Sequence, residues 1–538
     1  MQIRHRPNVI LILADDMGFA DLGLMGSEIR TPHIDAMARH GAVLSSMYNC
    51  ARCCPTRASL LTGLYPHKAG IGHMGADLGS PAYQGHLRAD AATIAERLRG
   101  SGYRTLMAGK WHVGGDLWAR RVHSWRMGEP DRPTPLQRGF DRFYGILDGA
   151  THFFSPHCIF EDDHQIEVSP TGYYFTDVIT DKAIGMIEES HALDQPFFLY
   201  LAHAAPHWPM HAHEEDMARY DGVYHRGWDA IRTARHEEML SRGVLQHRWA
   251  ISPRDPDAPA WADTQHRDWE ASRMAVYAAM VDRMDQGIGR VVDCLKRLGQ
   301  FEDTVILFLS DNGGCAEFMA EDGWAKFMPD VHNDGRRIEM GNRPSLRPGG
   351  PLTYMSYDLP WANVSNAPFR SFKHWVHEGG ISTPLVVQWP RHMAGPASIS
   401  HAPCHVSDIL PTIMEITGTS MAATIGERMV QTPDGESFLP LLQGRPWTRD
   451  QPIAWEHEGN CAIRQGNLKL VKRFEQPWEL YDMEQDRTEL HDLAPRNPAL
   501  RKDLEGRYDS WAQQTGVQDW RLLLPRLLAT WNMGDVHG

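Results

Sequence analysis

Short apolar runs alternate with helical segments along the first three quarters of the chain, and this alternation constrains the fold more than any other feature. Val9–Ala14 reads as a fully buried strand, with Arg104–Ala108, Phe197–Ala202, Thr304–Leu309 and Leu385–Gln388 as further strands. Thr31-Pro32 opens a helix, with Thr31 as N-cap, Pro32 at the first helical position and Gly41 as its stop. A long helix runs from Trp269 to Leu298 and ends at Gly299. The expected class is α/β: a large mixed, mainly parallel sheet sandwiched by helices.

Beyond the helix Val406–Thr417 and its Gly418 stop the pattern changes. Cys461–Arg464, Leu468–Lys472 and Glu479–Tyr481 read as antiparallel strands, the first two joined by Gly466-Asn467, with a helix over Asn497–Gln514. The 538 residues are thus expected to divide into a catalytic domain over 1–418 and a smaller C-terminal α+β unit over 419–538. Two stretches, His211–Asp263 and Cys315–Asn366, exceed ordinary loops. Insertions of that size serve as surface elaboration or as walls of a substrate pocket.

A net charge of −14 with no basic block argues against nucleic-acid or anionic-membrane partners. The first apolar run is too short for a secretory signal core and ends in two acids, and no window reaches the ~18 apolar residues of a membrane span. The expected location is cytoplasmic.

Parallel sheets place their sites at the carboxyl ends of strands. Asp15 and Asp16 close the first strand, and Asp311-Asn312-Gly313 closes Thr304–Ser310. Meeting on one edge, three carboxylates and an amide oxygen make a hard, all-oxygen set suited to Ca²⁺ or Mg²⁺. An isolated Asp-Asp pair is equally the mark of an N-cap or a solvated turn. Lys110 and His112 follow a third strand, His203 and His207 a fourth, and Lys373 precedes His377-Glu378-Gly379-Gly380 and a fifth. A metal, cationic side chains and imidazoles on one edge describe an anion-binding hydrolytic site.

Of only eight cysteines, Cys50, Cys53 and Cys54 fall within five residues. Three readings stand side by side: a zinc site, which wants a second Cys/His pair; a disulfide, which wants an oxidising compartment; and a catalytic residue. The last is favoured by a short helix over Thr56–Thr62, with Pro55 near its start and Arg57 in its first turn, since a thiolate is stabilised there.

Cys53-Cys54-Pro55-Thr56-Arg57-Ala58-Ser59-Leu60-Leu61-Thr62-Gly63 resembles the signature of the type I, formylglycine-dependent sulfatases of the alkaline phosphatase superfamily. The Asp-Asp strand end, Gly-Lys-Trp-His, Pro-His-Trp-Pro, Asp-Asn-Gly and Lys-(x)4-Glu-Gly-Gly follow in that family's order. Tyr220–Val244, Trp455–Asn460 and Trp478–Asp482 resemble bacterial arylsulfatases in particular.

The resemblance implies an alkaline phosphatase-like fold and a sulfuric ester hydrolase acting on a small-molecule or saccharide sulfate ester. It also implies a maturation enzyme that converts Cys53 to Cα-formylglycine, with Cys54 a packed neighbour. One hydroxyl of the aldehyde hydrate attacks sulfur to give a covalent sulfo-enzyme, and deprotonation of the other expels sulfate. Asp15, Asp16, Asp311 and Asn312, with residue 53, would hold Ca²⁺ (or Mg²⁺), and Asp311 is also a candidate base. Arg57 would orient the hydrate, and Lys110 and Lys373 would hold sulfate oxygens. His207 or Lys373 would protonate the leaving group, and His112 would take the proton released on collapse. A further polar contact after Gly139–Gly145 falls to Thr151 or His152. The competing readings are a carbohydrate sulfatase, a phosphonate or phosphate ester hydrolase of the same superfamily, and a non-catalytic binding protein that keeps the fold.

Overall fold

A computed structural model describes residues 6–115, 132–169, 171–246, 248–321, 328–393 and 398–536. Its centre is an eleven-stranded sheet. Across it run Ser398–Ser400, Ala42–Tyr48, Ser382–Gln388, Thr304–Ser310, Asn8–Ala14, Phe197–Ala202, Arg104–Lys110, Arg142–Ile146, Ile159–Glu161 and His164–Ile166, with Cys404–His405 also pairing with Ala42–Tyr48. Asn8–Ala14 lies parallel between Thr304–Ser310 and Phe197–Ala202. The expected strands are present, and the sheet is mixed: Ser382–Gln388 runs antiparallel to both of its neighbours, and Ile159–Glu161 runs antiparallel to Arg142–Ile146 and His164–Ile166.

The registers decide what meets at the edge. Ala14 lies opposite Ser310, so Asp15 and Asp311 leave the sheet side by side. Leu13 and Gly109 both lie opposite Ala202, which brings Lys110 and His203 to the same level. The antiparallel strand presents its beginning, Ser382, at the edge where its neighbours finish, so the functional residues of this segment precede the strand. Ala42–Tyr48 ends at that edge too, paired Tyr48 to Ser382, and hands the chain to Asn49–Cys53.

Both faces are covered. Ile10 and Ile12 pack with Met280, Met284 and Ile288 of the long helix Arg267–Arg297 on one side. Val9, Leu11 and Leu13 pack with Leu60, Leu61, Ile94, Leu98 and Ile409 on the other. Each such buried side chain contributes about 1.5–3 kcal/mol, which is why these strands read as continuous apolar runs. No described helix is long and apolar enough to cross a membrane.

Local details differ from the sequence expectation. The helix Pro32–Arg39 has Thr31 at its N-cap position, but the Thr31 hydroxyl donates to Asp35 rather than capping. The orphan N–H groups of His33 and Ile34 are taken instead by the carboxylate of Asp285 from the long helix, at 3.1 and 2.8 Å. Gly41 is required by a close approach, since a Cβ there would lie 2.0 Å from the carbonyl oxygen of Val387.

The C-terminal strands form a four-stranded antiparallel meander, Ile453–His457, Asn460–Gln465, Leu468–Lys472 and Glu479–Asp482; its first strand was not expected. Alternation of side chains splits it into two faces. Ala454, Ile463, Leu470 and Leu480 meet Leu504 and Tyr508 of the helix Pro498–Thr515. Trp455, Ala462, Val471 and Tyr481 meet Tyr48, Ala51, Val376 and Ile381, so this face packs on the segment that leads to Cys53.

A buried charge cluster fixes that seat. The Glu378 carboxylate accepts from Lys469 at 2.9 Å, Arg487 at 3.1 Å, Tyr48 at 3.0 Å and Ser382 at 2.9 Å. Lys469 also pairs with Glu489 at 2.8 Å. Burial alone would raise the Glu378 carboxyl, but Lys469 and Arg487 outweigh it and hold it down at about 2.

Candidate active site

The helix carrying the cysteine signature runs from Cys53 to Thr62, so it begins three residues earlier than the sequence suggests. Arg52 is its extended N-cap residue, and Gly63 ends it at φ 69°. Cys53 therefore occupies the first helical position, where unpaired N–H groups and the helix dipole favour negative charge. Its thiol is pulled well below the ordinary range, chiefly by the hydrogen bond from Cys54, with burial opposing and Lys110 and His112 assisting. The ligating atoms of Cys53, Cys54 and His112 lie within 4.8 Å of one another. All eight cysteines are free, and the Cys50 thiol faces His405 at 3.5 Å.

Behind Cys53 the two acid-rich strand ends meet. Lys110 Nζ donates to Asp15 at 2.6 Å. Arg57 donates Nε and Nη2 to one oxygen of Asp311 and Nη1 to the carbonyl of Lys110, at 3.0, 2.7 and 3.0 Å. The Asp16 carboxylate accepts from Asn312 at 2.7 Å and from Lys373 at 2.9 Å. His207 Nε2 lies 3.4 Å from both Asp16 and Lys373, while its Nδ1 meets the Trp208 carbonyl at 2.6 Å. Asp15, Asp16, Cys53, Arg57, Lys110, His207, Asp311, Asn312 and Lys373 are all buried and, with His112, form one cluster.

The electrostatics follow from crowding in a dry place. Burial, then Asp15, push the Asp311 carboxyl up to about 8 against the pull of Arg57. Burial also raises Asp15, whereas His207 and Lys373 overcome burial and lower Asp16. Burial depresses both His112 and His207 to about 4, leaving neutral imidazoles. Asp16 and His112 sit at φ 67° and 54°, left-handed values that cost non-glycine residues about 1 kcal/mol or more each. Gly149 crosses the edge of the His112 ring, where a Cβ would fall 2.6 Å from Nε2.

The oxygen cluster fits a hard divalent cation. Asp15 Oδ1 and Asn312 Oδ1 are buried with no hydrogen-bond partner, and a buried polar atom left unpaired costs about 1–3 kcal/mol. With Asp16 and Asp311 beside them the donors are mainly oxygens, with the His207 imidazole at the margin, a set that favours Ca²⁺ or Mg²⁺ over thiophilic metals.

A cavity of about 630 Å³ opens onto Cys53, His112, His207 and Lys373. Its walls include Arg52, His73, Asp148, Trp208, Glu317, Trp375 and Glu458. Arg52 pairs with Glu317 at 2.9 Å, and Glu317 accepts from Trp208 Nε1 at 2.8 Å. Of the two insertions, Cys315–Asn366 lines the cavity with Cys315, Ala316, Glu317, Met328 and Leu359, while residues 322–327 lie outside the described ones. His211–Asp263 contributes Asp257, and its Trp228 and Trp261 pack with Trp361 instead. Neither Thr151 nor His152 reaches the cavity: His152 bonds the Pro351 carbonyl and accepts from Phe154 and Ser155 N–H groups. Glu378 of the Glu-Gly-Gly motif is the buried clasp described above and not a cavity residue.

Comparison with known proteins follows the same lines. The family model described as Sulfatase matches residues 7–419, and that described as N-sulphoglucosamine sulphohydrolase, C-terminal, matches residues 369–510. An uncharacterized sulfatase of Schizosaccharomyces pombe is 32% identical over 546 residues, covering 95% of this chain and 94% of its own. The arylsulfatase of Klebsiella aerogenes is 30% identical over 472 residues, covering 81% and 92% respectively. Among solved structures, that of Ps i-CgsB in complex with k-i-k-neocarrahexaose superposes with a TM-score of 0.66 at 26% identity, covering 94% of this chain and 93% of that one.

Proposed function

The chain belongs to the sulfatase family, and on that premise we propose that it cleaves a sulfate monoester in the manner of an arylsulfatase, with residue 53 converted to formylglycine. The observation that carries this reading is the position of Cys53. It opens a helix, faces the cavity, and has Lys110, His112, Arg57 and the oxygen cluster around it.

The Cys53 Sγ stands where an oxygen of the modified side chain would lie. As formylglycine, the residue supplies a hydrated carbonyl that takes the sulfuryl group on one oxygen and releases it as sulfate when the other loses its proton. Arg57 orients residue 53 and balances charge from the same helix turn. Lys110 and Lys373 approach from two different segments and hold the sulfate oxygens. His207, at the cavity wall beside Asp16 and Lys373, is neutral before substrate binds; the negative charge of a bound sulfate ester favours its imidazolium form, which gives the leaving oxygen a proton as the S–O bond breaks. His112, in contact with residue 53, receives the proton lost on release.

Asp15, Asp16, Asp311 and Asn312 would hold a Ca²⁺ ion, which when bound supplies positive charge against the sulfate and lowers the pKa of an adjacent hydroxyl. The arylsulfatase relative of Klebsiella aerogenes supports an aryl ester as substrate, and the complex of Ps i-CgsB with a neocarrahexaose supports a saccharide ester as the second reading.

The test is hydrolysis of a chromogenic aryl sulfate by mature protein, beside a matched phosphonate ester and sulfated oligosaccharides. Turnover of the aryl sulfate, abolished in Cys53→Ala, is expected. Full activity in Cys53→Ala would sink the mechanism, and a large preference for the phosphonate would replace the substrate class.

A further inference from the structure

Beside the cavity, three imidazoles and a carboxylate converge from three separate segments. His73 follows the loop after the signature helix, His374 stands next to Lys373, and His457-Glu458 closes the first hairpin of the C-terminal meander. The ligating atoms of His73, His457 and Glu458 lie within 4.8 Å of one another. Glu458 approaches His73 Nε2 at 2.8 Å, His457 Nε2 at 3.7 Å and His374 Nδ1 at 3.6 Å. The rings of His73 and His457 stack at 5.4 Å, and that of His374 stands edge-on to His457 at 5.3 Å.

Ordinary packing leaves this group unfinished. His457 is fully buried, yet neither ring nitrogen has a hydrogen-bond partner, and the Nδ1 of buried His73 has none either. The turn between the first two strands of the meander holds Glu458 at φ 52° and Gly459 at φ 76°. Asparagine, aspartate or glycine is the usual choice for the first of two such positions, so a glutamate there is held at a conformational cost that brings its carboxylate over the imidazoles.

We propose that His73, His374, His457 and Glu458 form a second metal site that takes a divalent transition cation of the Zn²⁺ class, separate from the oxygen cluster. Bonds of about 2.0–2.1 Å in a tetrahedron set ligand atoms about 3.3 Å apart. The Glu458 contacts of 2.8 Å to His73 and 3.7 Å to His457 bracket that value, so these three ligands need little adjustment, whereas His374, 3.6 Å from the other Glu458 oxygen and outside their 4.8 Å group, has to turn inward to complete the tetrahedron. Imidazole nitrogens with one carboxylate suit Zn²⁺ or Co²⁺, whereas Ca²⁺ wants oxygens throughout. The ion would tie the C-terminal hairpin to the segment bearing Lys373, and it would stand on the cavity wall within reach of a substrate's leaving group.

The site can be tested on the full chain carrying Cys53→Ala, which dismantles the Cys53–Cys54–His112 group, in saturating Ca²⁺. Titration with Zn²⁺ should show one tight equivalent, and Co²⁺ should give the visible ligand-field bands of a four-coordinate ion. His457→Gln and Glu458→Gln should each weaken Zn²⁺ at least tenfold, the lower end of the ~10–100-fold that even outer-shell changes cost. No binding to the parent chain, or undiminished binding in His457→Gln, overturns the proposal. X-ray absorption at the zinc edge of the parent needs no folded variant: a shell of nitrogen and oxygen with imidazole scattering supports the site, and a sulfur shell overturns it.

Discussion

Arg57 and Asp311, 254 positions apart, are joined by two hydrogen bonds onto a single carboxylate oxygen, with Arg57 Nε at 3.0 Å and Nη2 at 2.7 Å. The second Asp311 oxygen accepts from the N–H of Asp16 at 3.2 Å, so one carboxylate binds the signature helix to the first strand end. Arg57→Ala would strip two hydrogen bonds from a buried carboxyl already pushed up to about 8, which would then stay protonated, and the loss in denaturant unfolding is expected to be about 1–3 kcal/mol. Arg57→Lys keeps the charge but not the fork that also reaches the Lys110 carbonyl, and is expected to lose activity with a smaller loss of stability.

His207 is expected to matter in proportion to how badly the substrate needs a proton. His207→Gln should slow esters of weakly acidic alcohols by about 10²–10⁴ and leave nitrophenyl esters much less affected. A plot of log kcat against leaving-group pKa should steepen in the variant. An unchanged slope would remove His207 from that role.

Gly149→Ala would place a methyl carbon 2.6 Å from the His112 ring. Contacts that short force the ring aside, so kcat should fall at least tenfold while the melting temperature stays within a few degrees. KM is expected to change little if, as proposed, Lys110 and Lys373 rather than His112 hold the sulfate.

Glu378 gives the fold an acid limit. Its carboxyl has an ordinary value of 4.5 and is held at about 2 in the folded protein, where burial opposes and Lys469 and Arg487 outweigh it. A depressed folded value stabilises above the unfolded pKa, and that contribution drains away as pH falls from about 4.5 toward 2. Unfolding free energy measured across this window should decline steeply in the parent and less steeply in Glu378→Gln, which starts lower at pH 7 because Lys469 and Arg487 lose a partner.

Chelation should cost both activity and stability. A cation at 100 times its dissociation constant adds about 2.7 kcal/mol to the folded state. EGTA should therefore lower the melting temperature, and Ca²⁺ should restore it. Asp15→Asn and Asn312→Ala should blunt the response, since Asp15 Oδ1 and Asn312 Oδ1, which accept no hydrogen bond, are the oxygens a cation would satisfy.

Much of this site is legible in the sequence because parallel strands deliver their following residues to one edge. Asp15, Lys110, His207 and Asp311 need only that rule. Lys373 is harder to place, since it precedes its strand, and it reaches the edge because that strand runs the other way. Ala42–Tyr48 escapes notice because Ser45 and Ser46 interrupt its apolar run, although both are buried and Ser45 hydrogen-bonds to Ser400 and His401. Glu378 sits inside a motif that resembles catalytic machinery, and only its contacts with Lys469 and Arg487 reveal a structural clasp. The grouping of His73 with His457 and Glu458 has no local signal at all, because it depends on where the meander docks.

Cys53 is 1% exposed, and the side chains that bury and surround it come from far downstream. About 320 residues separate it from Lys373, and translation at about 5–20 residues per second gives roughly 15–60 s before that lysine exists. The meander that packs on Tyr48 and Ala51, just ahead of residue 53, is synthesised later still. The proposed conversion of residue 53 therefore belongs to the nascent chain: a maturation enzyme has a window opened by the order of synthesis and closed by folding. Molecules that fold first would keep a cysteine at the floor of a cavity that admits a small ester but not a second enzyme, so the active fraction of a preparation records a race between two clocks.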